Sequence, residues 1–458
     1  MHHGLRILTI LMVILPLSVL QAADTSTHQP NIVFFLIDDL GWADCGFNGG
    51  REIKTPNIDK LANGGAILES HYVQPVCSPT RAALMTGRYA TRTGVYTIVR
   101  PHAKWGLPLQ ERTLANALHD AGYETAITGK WHLGEFDPAY VPTSRGFDHQ
   151  YGHYFGAIDY FTHLRDGSHD WYRDDKEVHE EGYSTHLVAK EACRLIAEKD
   201  KTKPLFLYVP FNGVHSPLQV PDSYLQPYSG LTGPRQKLAG MLAAVDEAIG
   251  QIVQTLEAAG LRENTLIVFS SDNGGPRPGT NTPLRDFKGT IYEGGVRACA
   301  FANWPKKIPA GQRITQPMHV IDWYPTLVKL AGGSLDQKLP IDGRDVWPML
   351  TQQATSPHDA ILCVRSPTQA ALRMGDWKLI SHSTSGANKA GAAKGKARGK
   401  KSQPNTPQVE LYNLAADIRE STNLAEKETE RVARMKARLA EFLKDAVPSG
   451  APEGSNAE

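Results

Sequence analysis

Eleven side chains of this chain are of types that bind cations or oxyanions, and their spacing predicts that a folded sheet gathers them. Cys77 stands in Val76-Cys77-Ser78-Pro79-Thr80-Arg81, ahead of the helical run 82–88. Ser78 is a favoured N-cap and Pro79 a favoured first helical residue, so Cys77 is expected on the turn just before a helix N-terminus. Exposed N–H groups and the helix dipole there favour an oxyanion, and Arg81, one turn in, can point back at it. Asp38-Asp39 end the apolar run 31–37; adjacent carboxylates repel one another unless a cation holds them. Asp272-Asn273 follow the run 265–270, Lys130 and His132 follow 123–128, and Asn212 and His215 follow 205–210. Lys130 and His132 share parity, so continued strand geometry turns them the same way. Lys288 stands in a loop over 284–295. Taken singly, a core cysteine, a packed histidine or a surface lysine is commonplace. Four strand-like runs that each end in such groups predict one pocket along one edge of a doubly wound sheet.

Those four runs are apolar almost without interruption, as strands buried on both faces are. Amphipathic helical spacing appears at 114–121, 184–197 and 236–259, the last with Gly260 as a stop, so the fold class is α/β. Beyond about residue 343 the character changes. Residues 371–380 read as two strands around a tight Gly375-Asp376 turn, 410–414 as another strand, and 426–446 as an amphipathic helix before a frayed tail from Pro448. These features divide the chain into a catalytic domain over 28–345 and a smaller C-terminal α+β unit over 346–458. Between the small strands, 381–408 is rich in Gly, Ala and Ser, carries six Lys and Arg residues and has almost nothing apolar to bury, so it reads as a mobile basic loop.

The 458 residues carry a net charge of +1, which argues against a protein built as a whole to bind nucleic acid or a membrane surface. A basic start, an apolar run over 7–20 and Gln21-Ala22-Ala23 read as a signal peptide over 1–23, so the protein is expected to be exported, periplasmic or secreted, with no stable membrane insertion. Five cysteines lack zinc or CxxC spacing. Setting Cys77 aside, Cys45, Cys193, Cys299 and Cys363 suffice for two bridges or serve as core residues.

The run Cys77-Ser78-Pro79-Thr80-Arg81 resembles the signature of the type I sulfatases. Gly129-Lys130-Trp131-His132-Leu133-Gly134, Arg145-Gly146-Phe147-Asp148, Ser271-Asp272-Asn273-Gly274-Gly275 and Glu293-Gly294-Gly295-Val296-Arg297 extend the likeness to enzymes of the arylsulfatase B (N-acetylgalactosamine-4-sulfatase) type. The resemblance implies the alkaline phosphatase superfamily (sulfatase) fold, a large mixed sheet flanked by helices with a small antiparallel sheet and helix appended. It implies that a maturation enzyme oxidises Cys77 to Cα-formylglycine, and that Asp38, Asp39, Asp272, Asn273 and the modified Cys77 hold one Ca²⁺. That ligand set is all hard oxygen, as Ca²⁺ prefers. The likeness further implies that Arg81 and Lys130 hold the formylglycine hydrate, that Lys130, His215 and Lys288 bind the sulfate ester, and that His132 partners the second hydroxyl. The substrate implied is a sulfated saccharide, with 4-O-sulfate on galactosamine or galactose units of a glycosaminoglycan or algal polysaccharide. Aromatic and His-rich residues at 102–105 and 151–160 suit sugar recognition or loop packing. Two rivals stand beside this reading: a phosphodiesterase or phosphonate hydrolase of the same superfamily, in which a His typically replaces Asn273 and transition metals are preferred, and a non-catalytic sulfoglycan-binding protein.

Overall fold

The computed structural model describes residues 29–382 and 408–452, together with Met1. At its centre the strand Asn31–Ile37 is buried along its whole length, and its side chains divide by parity. Ile32, Phe34 and Leu36 enter one core, while Val33, Phe35 and Ile37 enter another. Leu205–Phe211 and Thr265–Ser271 flank it in parallel, and Glu124–Lys130 and His149–His153 continue the parallel set outward from Leu205–Phe211. Ala300–Asn303 joins antiparallel on the other side of Thr265–Ser271, within a mixed sheet of ten strands.

Helices cover both faces. Cys77–Thr86, Leu114–Asp120 and Trp323–Leu330 pack with the first core, and Pro56–Asn63, Ser184–Glu198 and Gly233–Ala258 with the second. The 26-residue helix Gly233–Ala258 has proline in its first turn and buries Leu238, Met241, Leu242, Val245, Ile249, Ile252 and Leu256 at spacings of three and four. Each such aliphatic side chain contributes about 1.5–3 kcal/mol. Asp246 also faces inward, accepting from Asn57 Nδ2 at 2.9 Å and Ile58 N at 2.8 Å. It thereby caps the first turn of Pro56–Asn63, which Thr55 leaves without a side-chain cap.

The small sheet runs antiparallel in the order Ile361–Ser366, Gln369–Met374, Trp377–Ser381, Val409–Asn413, with Gly375 at φ +55° in the expected turn. The helix Thr429–Leu443 lays Met435 and Leu439 on it, and these join Leu362, Leu372, Leu379 and Leu411 in the core beneath the first face of the large sheet. The two sheets therefore share one continuous apolar interior.

Residues 1–23 and most of 381–408 lie outside the described residues, apart from Met1, Ser381, His382 and Gln408. The expectation of a frayed tail from Pro448 fails for its first residues. Val447 N donates to Thr91 O at 2.8 Å and Gly450 N to Gly94 O at 2.9 Å, so backbone bonds dock this segment. All five cysteines are free thiols; Cys45, Cys77, Cys299 and Cys363 are buried and Cys193 is half-buried. No helix among the described residues is long and apolar enough to cross a membrane.

Candidate active site

Parallel strands deliver the site from their C-terminal ends. Asp38 follows Ile37, Lys130 closes its own strand, Asn212 follows Phe211 and Asp272 follows Ser271, so all four share one edge of the sheet. Glycine is required beside two of them. A Cβ on Gly129 would stand 2.1 Å from the Pro210 carbonyl oxygen, and one on Gly274 would stand 1.7 Å from that of Gly294. Asp39, at φ +63°, turns the chain directly after Asp38.

The charged groups interlock. Lys130 Nζ donates to Asp38 Oδ2 at 2.5 Å, Arg81 Nη2 to Asp272 Oδ2 at 2.8 Å, and Lys288 Nζ lies 2.7 Å from Asp39 Oδ1. Asn273 Nδ2 donates to Asp39 Oδ1 at 2.8 Å, and the Asp39 N–H to Asp272 Oδ1 at 3.2 Å. Two buried oxygens, Asp38 Oδ1 and Asn273 Oδ1, have no hydrogen-bond partner among the described residues. Leaving such an atom unpaired costs about 1–3 kcal/mol, so an orphaned pair at this edge fits a cation that only oxygen donors surround.

Burial raises the carboxyl of Asp38, but Lys130, His215 and Arg81 outweigh it and hold that group below the ordinary range. For Asp39, burial is likewise overcome, by Lys288 and His215. Asp272 ends above the ordinary range, since burial and the charge of Asp38 exceed what Arg81 and Lys130 offset. Burial opposes the charge on Lys288, yet Asp39 keeps its ammonium more firmly protonated than usual. Burial also raises the Cys77 thiol, against the pull of Lys130 and Lys288, so an unmodified Cys77 stays a neutral thiol. Three carboxylates thus face the cations of Arg81, Lys130 and Lys288 in near balance. A bound dication would leave an excess of positive charge, which suits an anionic ester.

Two histidines complete the edge. His132 Nε2 lies 2.9 Å from Val99 O, while its buried Nδ1 has no partner among the described residues. Burial, then the charges of Lys130 and Arg81, drive its pKa well down, so the ring is neutral and Nδ1 carries the free lone pair. His215 presents Nε2 3.6 Å from Asp39 Oδ2, with Nδ1 2.6 Å from Ser216 O.

All eleven side chains singled out by type and spacing are gathered at this edge, with two local corrections. Cys77 is the first residue of the helix Cys77–Thr86, with Val76 as N-cap, because the Ser78 hydroxyl accepts from Val99 N at 3.0 Å instead of capping. The strand stops at Lys130, and His132 sits at φ +63°, so parity does not relate the two side chains. Among the aromatics of 151–160, Tyr151 and Tyr160 are buried, and the Tyr160 hydroxyl reaches Asn212 O at 2.6 Å and His215 O at 2.7 Å, bracing the turn that bears His215. Tyr154 and Phe155 line a cavity of about 450 Å³ with His102 and Lys104. Sequence reasoning missed Tyr208, buried on a neighbouring strand beside the Arg81 guanidinium. It also missed Lys378 and Glu420, which clamp Glu293 behind the Lys288 loop. Contacts across such long sequence separations leave no local pattern.

A mixed sheet carrying its acids and cations along one edge, with an antiparallel sheet appended, is the fold of the sulfatases of the alkaline phosphatase superfamily. The solved structure of Ps i-CgsB in complex with k-i-k-neocarrahexaose superposes with a TM-score of 0.84 at 32% identity, over 93% of this chain and 95% of that one. The chain belongs to the sulfatase family, whose model matches residues 30–334, and is accordingly a sulfuric ester hydrolase. Among curated relatives, arylsulfatase J of Mus musculus is 36% identical over 93% of this chain and 78% of its own length. N-acetylgalactosamine-6-sulfatase of Canis lupus familiaris is 34% identical over 77% of this chain and 71% of its own length.

Proposed function

We propose that the protein is exported and removes sulfate from a sulfated saccharide, with Cys77 converted by a maturation enzyme to Cα-formylglycine, whose hydrate is the nucleophile. The observation that carries this reading is the convergence of Cys77, Arg81, Lys130 and Lys288 on the carboxylates of Asp38, Asp39 and Asp272, beside two buried oxygens, Asp38 Oδ1 and Asn273 Oδ1, that have no partner among the described residues. Asp38, Asp39, Asp272, Asn273 and the modified residue 77 would hold one Ca²⁺, which when bound supplies electrostatic relief for the sulfate oxygens. The oxygen-only donor set and Asn273 disfavour a transition-metal phosphodiesterase. The intact set of proton-transfer groups disfavours a purely binding role.

The chain's own residues divide the work. Arg81 and Lys130 orient the hydrate. Lys130, Lys288 and His215 hold the sulfate, where fixed cations in a dry site act far more strongly than in water. One hydroxyl of the hydrate attacks sulfur, and His215 or Lys288 gives a proton to the departing sugar oxygen. The second hydroxyl then loses its proton to His132 Nδ1, its oxygen lone pair forms the C=O of the aldehyde, and the C–O bond to the sulfate breaks with its electron pair leaving on the sulfate oxygen. Water rehydrates the aldehyde.

The sugar is read as galactosamine or galactose carrying a 4-O-sulfate. A second reading, 6-O-sulfate, is favoured by relatives that are N-acetylgalactosamine-6-sulfatases. The cavity lined by His102, Lys104, Tyr154 and Phe155 offers charge and ring surface to a neighbouring sugar. The test is sulfate release from matched 4-O- and 6-O-sulfated N-acetylgalactosamine and their oligosaccharides, using protein whose residue 77 is shown by mass to be formylglycine. Release from one regioisomer fixes the position. No release from any sulfated saccharide, with an aryl sulfate still cleaved, overturns the saccharide reading.

A further inference from the structure

We propose a second cation site, for a transition metal of the zinc class, formed by His169, Glu177 and His179 at the far edge of the large sheet. One ligand atom from each of the three lies within 4.8 Å of the other two. The two imidazoles stack with centroids 4.2 Å apart and planes 28° from parallel, and His179 Nε2 is 3.1 Å from Glu177 Oε1. Two ring nitrogens and one carboxylate oxygen form a donor set that suits Zn²⁺ and its neighbours and does not suit Ca²⁺. It shares no residue with the oxygen set around Asp38.

The backbone beneath these side chains is fixed, so only side-chain closure is needed to bind. Trp171 is fully buried, and its carbonyl accepts from Val178 N at 2.9 Å. Asp170, also buried, accepts from Tyr154 N at 2.9 Å and Phe155 N at 2.7 Å, anchoring the strand next to His169. His169 Nε2 lies 3.0 Å from Val178 O, the backbone hydrogen bond that sets the tautomer and leaves the lone pair on the other ring nitrogen. Metal bonds of about 2.0–2.2 Å place tetrahedral ligand atoms roughly 3.4 Å apart; His179 Nε2 and Glu177 Oε1 already stand within that spacing, so binding requires only that this pair and His169 draw together. The exposed side chains of Glu177 and His179 are free of the core and can make that adjustment. Water completes the coordination. His169 also lines the cavity that holds His102 and Lys104, so a bound ion would pin one wall of it.

The test titrates Zn²⁺ calorimetrically into the full-length protein in excess Ca²⁺, which keeps the oxygen site filled, and repeats the titration with Glu177→Gln/His179→Ala. Co²⁺ serves as a second, spectroscopic probe through the visible bands of a histidine-ligated tetrahedral ion. The expected result is one Zn²⁺ more for the unsubstituted protein, or an affinity at least about tenfold tighter, with Co²⁺ bands that the variant lacks. Metal-free circular dichroism and melting should match between the two, because the altered side chains are surface groups. Superposable Zn²⁺ isotherms, or the absence of any Zn²⁺ binding by the unsubstituted protein, overturn the proposal.

Discussion

Replacing Lys378 with methionine keeps the length of the side chain and removes a buried charge on which two carboxylates depend. Lys378 Nζ lies 2.9 Å from Glu293 Oε1 and 2.9 Å from Glu420 Oε1, and Glu420 Oε2 accepts from Glu293 N at 2.7 Å. Breaking a buried ion pair by deleting one partner costs about 3–5 kcal/mol. Unfolding entropy of about 2.1 cal/mol/K per residue over roughly 400 residues makes this a fall in melting temperature of about 4–6 °C. The pH dependence has a defined sign. Burial and the charge of Glu293 raise Glu420 to about 7 despite Lys378, whereas for Glu293 burial is outweighed by Lys378 and Arg297, leaving it at about 2. Without Lys378 both folded-state values rise: that of Glu420 moves further above the unfolded value, and that of Glu293 loses the depression that Lys378 gives it and climbs under the penalty of burial. A raised folded pKa means stability that is present at low pH and lost as pH rises through that value. The deficit of Lys378→Met should therefore be smallest near pH 5 and largest near pH 8, as read by scanning calorimetry or circular dichroism melts at each pH, and adding Glu420→Gln should recover part of it. Melting together with the unsubstituted protein at about pH 8, or a deficit that grows toward acid, would refute this account of the network.

Three further outcomes are expected. Cys77→Ser presents a single hydroxyl, so it should accumulate a sulfated serine from an aryl sulfate and turn over at most about once, detected by mass spectrometry of the peptide spanning the motif; sustained turnover without an adduct contradicts the hydrate mechanism. Asp272→Ala should bind no Ca²⁺ by elemental analysis, where the unsubstituted protein carries about one per chain, and should be inactive; it also strips the Arg81 guanidinium of its 2.8 Å partner, and retained Ca²⁺ at full occupancy would count against the ligand set. Gly129→Ala forces a Cβ to within 2.1 Å of the Pro210 oxygen at φ +131°, which should cost at least about 1–3 kcal/mol and displace Lys130; unchanged stability and activity would show that the strands yield there.

The central strands were legible because burial on both faces writes a continuous apolar run, and much of the site was legible because Asp38, Asp39, Lys130, Asn212, Asp272 and Asn273 stand at or just after those runs. What escaped the sequence has particular causes. Ser78 is chemically a good cap, but Val99 N, 21 residues away, claims its hydroxyl and shifts the helix start onto Cys77. Parity failed to relate Lys130 and His132 because the chain leaves the strand at φ +63°. The segment after Val447 docks through backbone bonds to Thr91 and Gly94, which no side-chain pattern announces. Lys378 meets Glu293 across 85 residues, so neither neighbourhood hints at the other.

The strand Asn31–Ile37 also acts as a gauge for the whole molecule. Its alternation sorts apolar side chains between two cores, and the next residue in the same count, Asp38, is the one that meets Lys130. A slip of one position would exchange the contents of both cores and at the same stroke swing that carboxylate away from its cation. Mispaired chains cannot then persist as well-folded but inactive molecules. For this architecture, a count of competent active sites is also a count of correctly registered sheets.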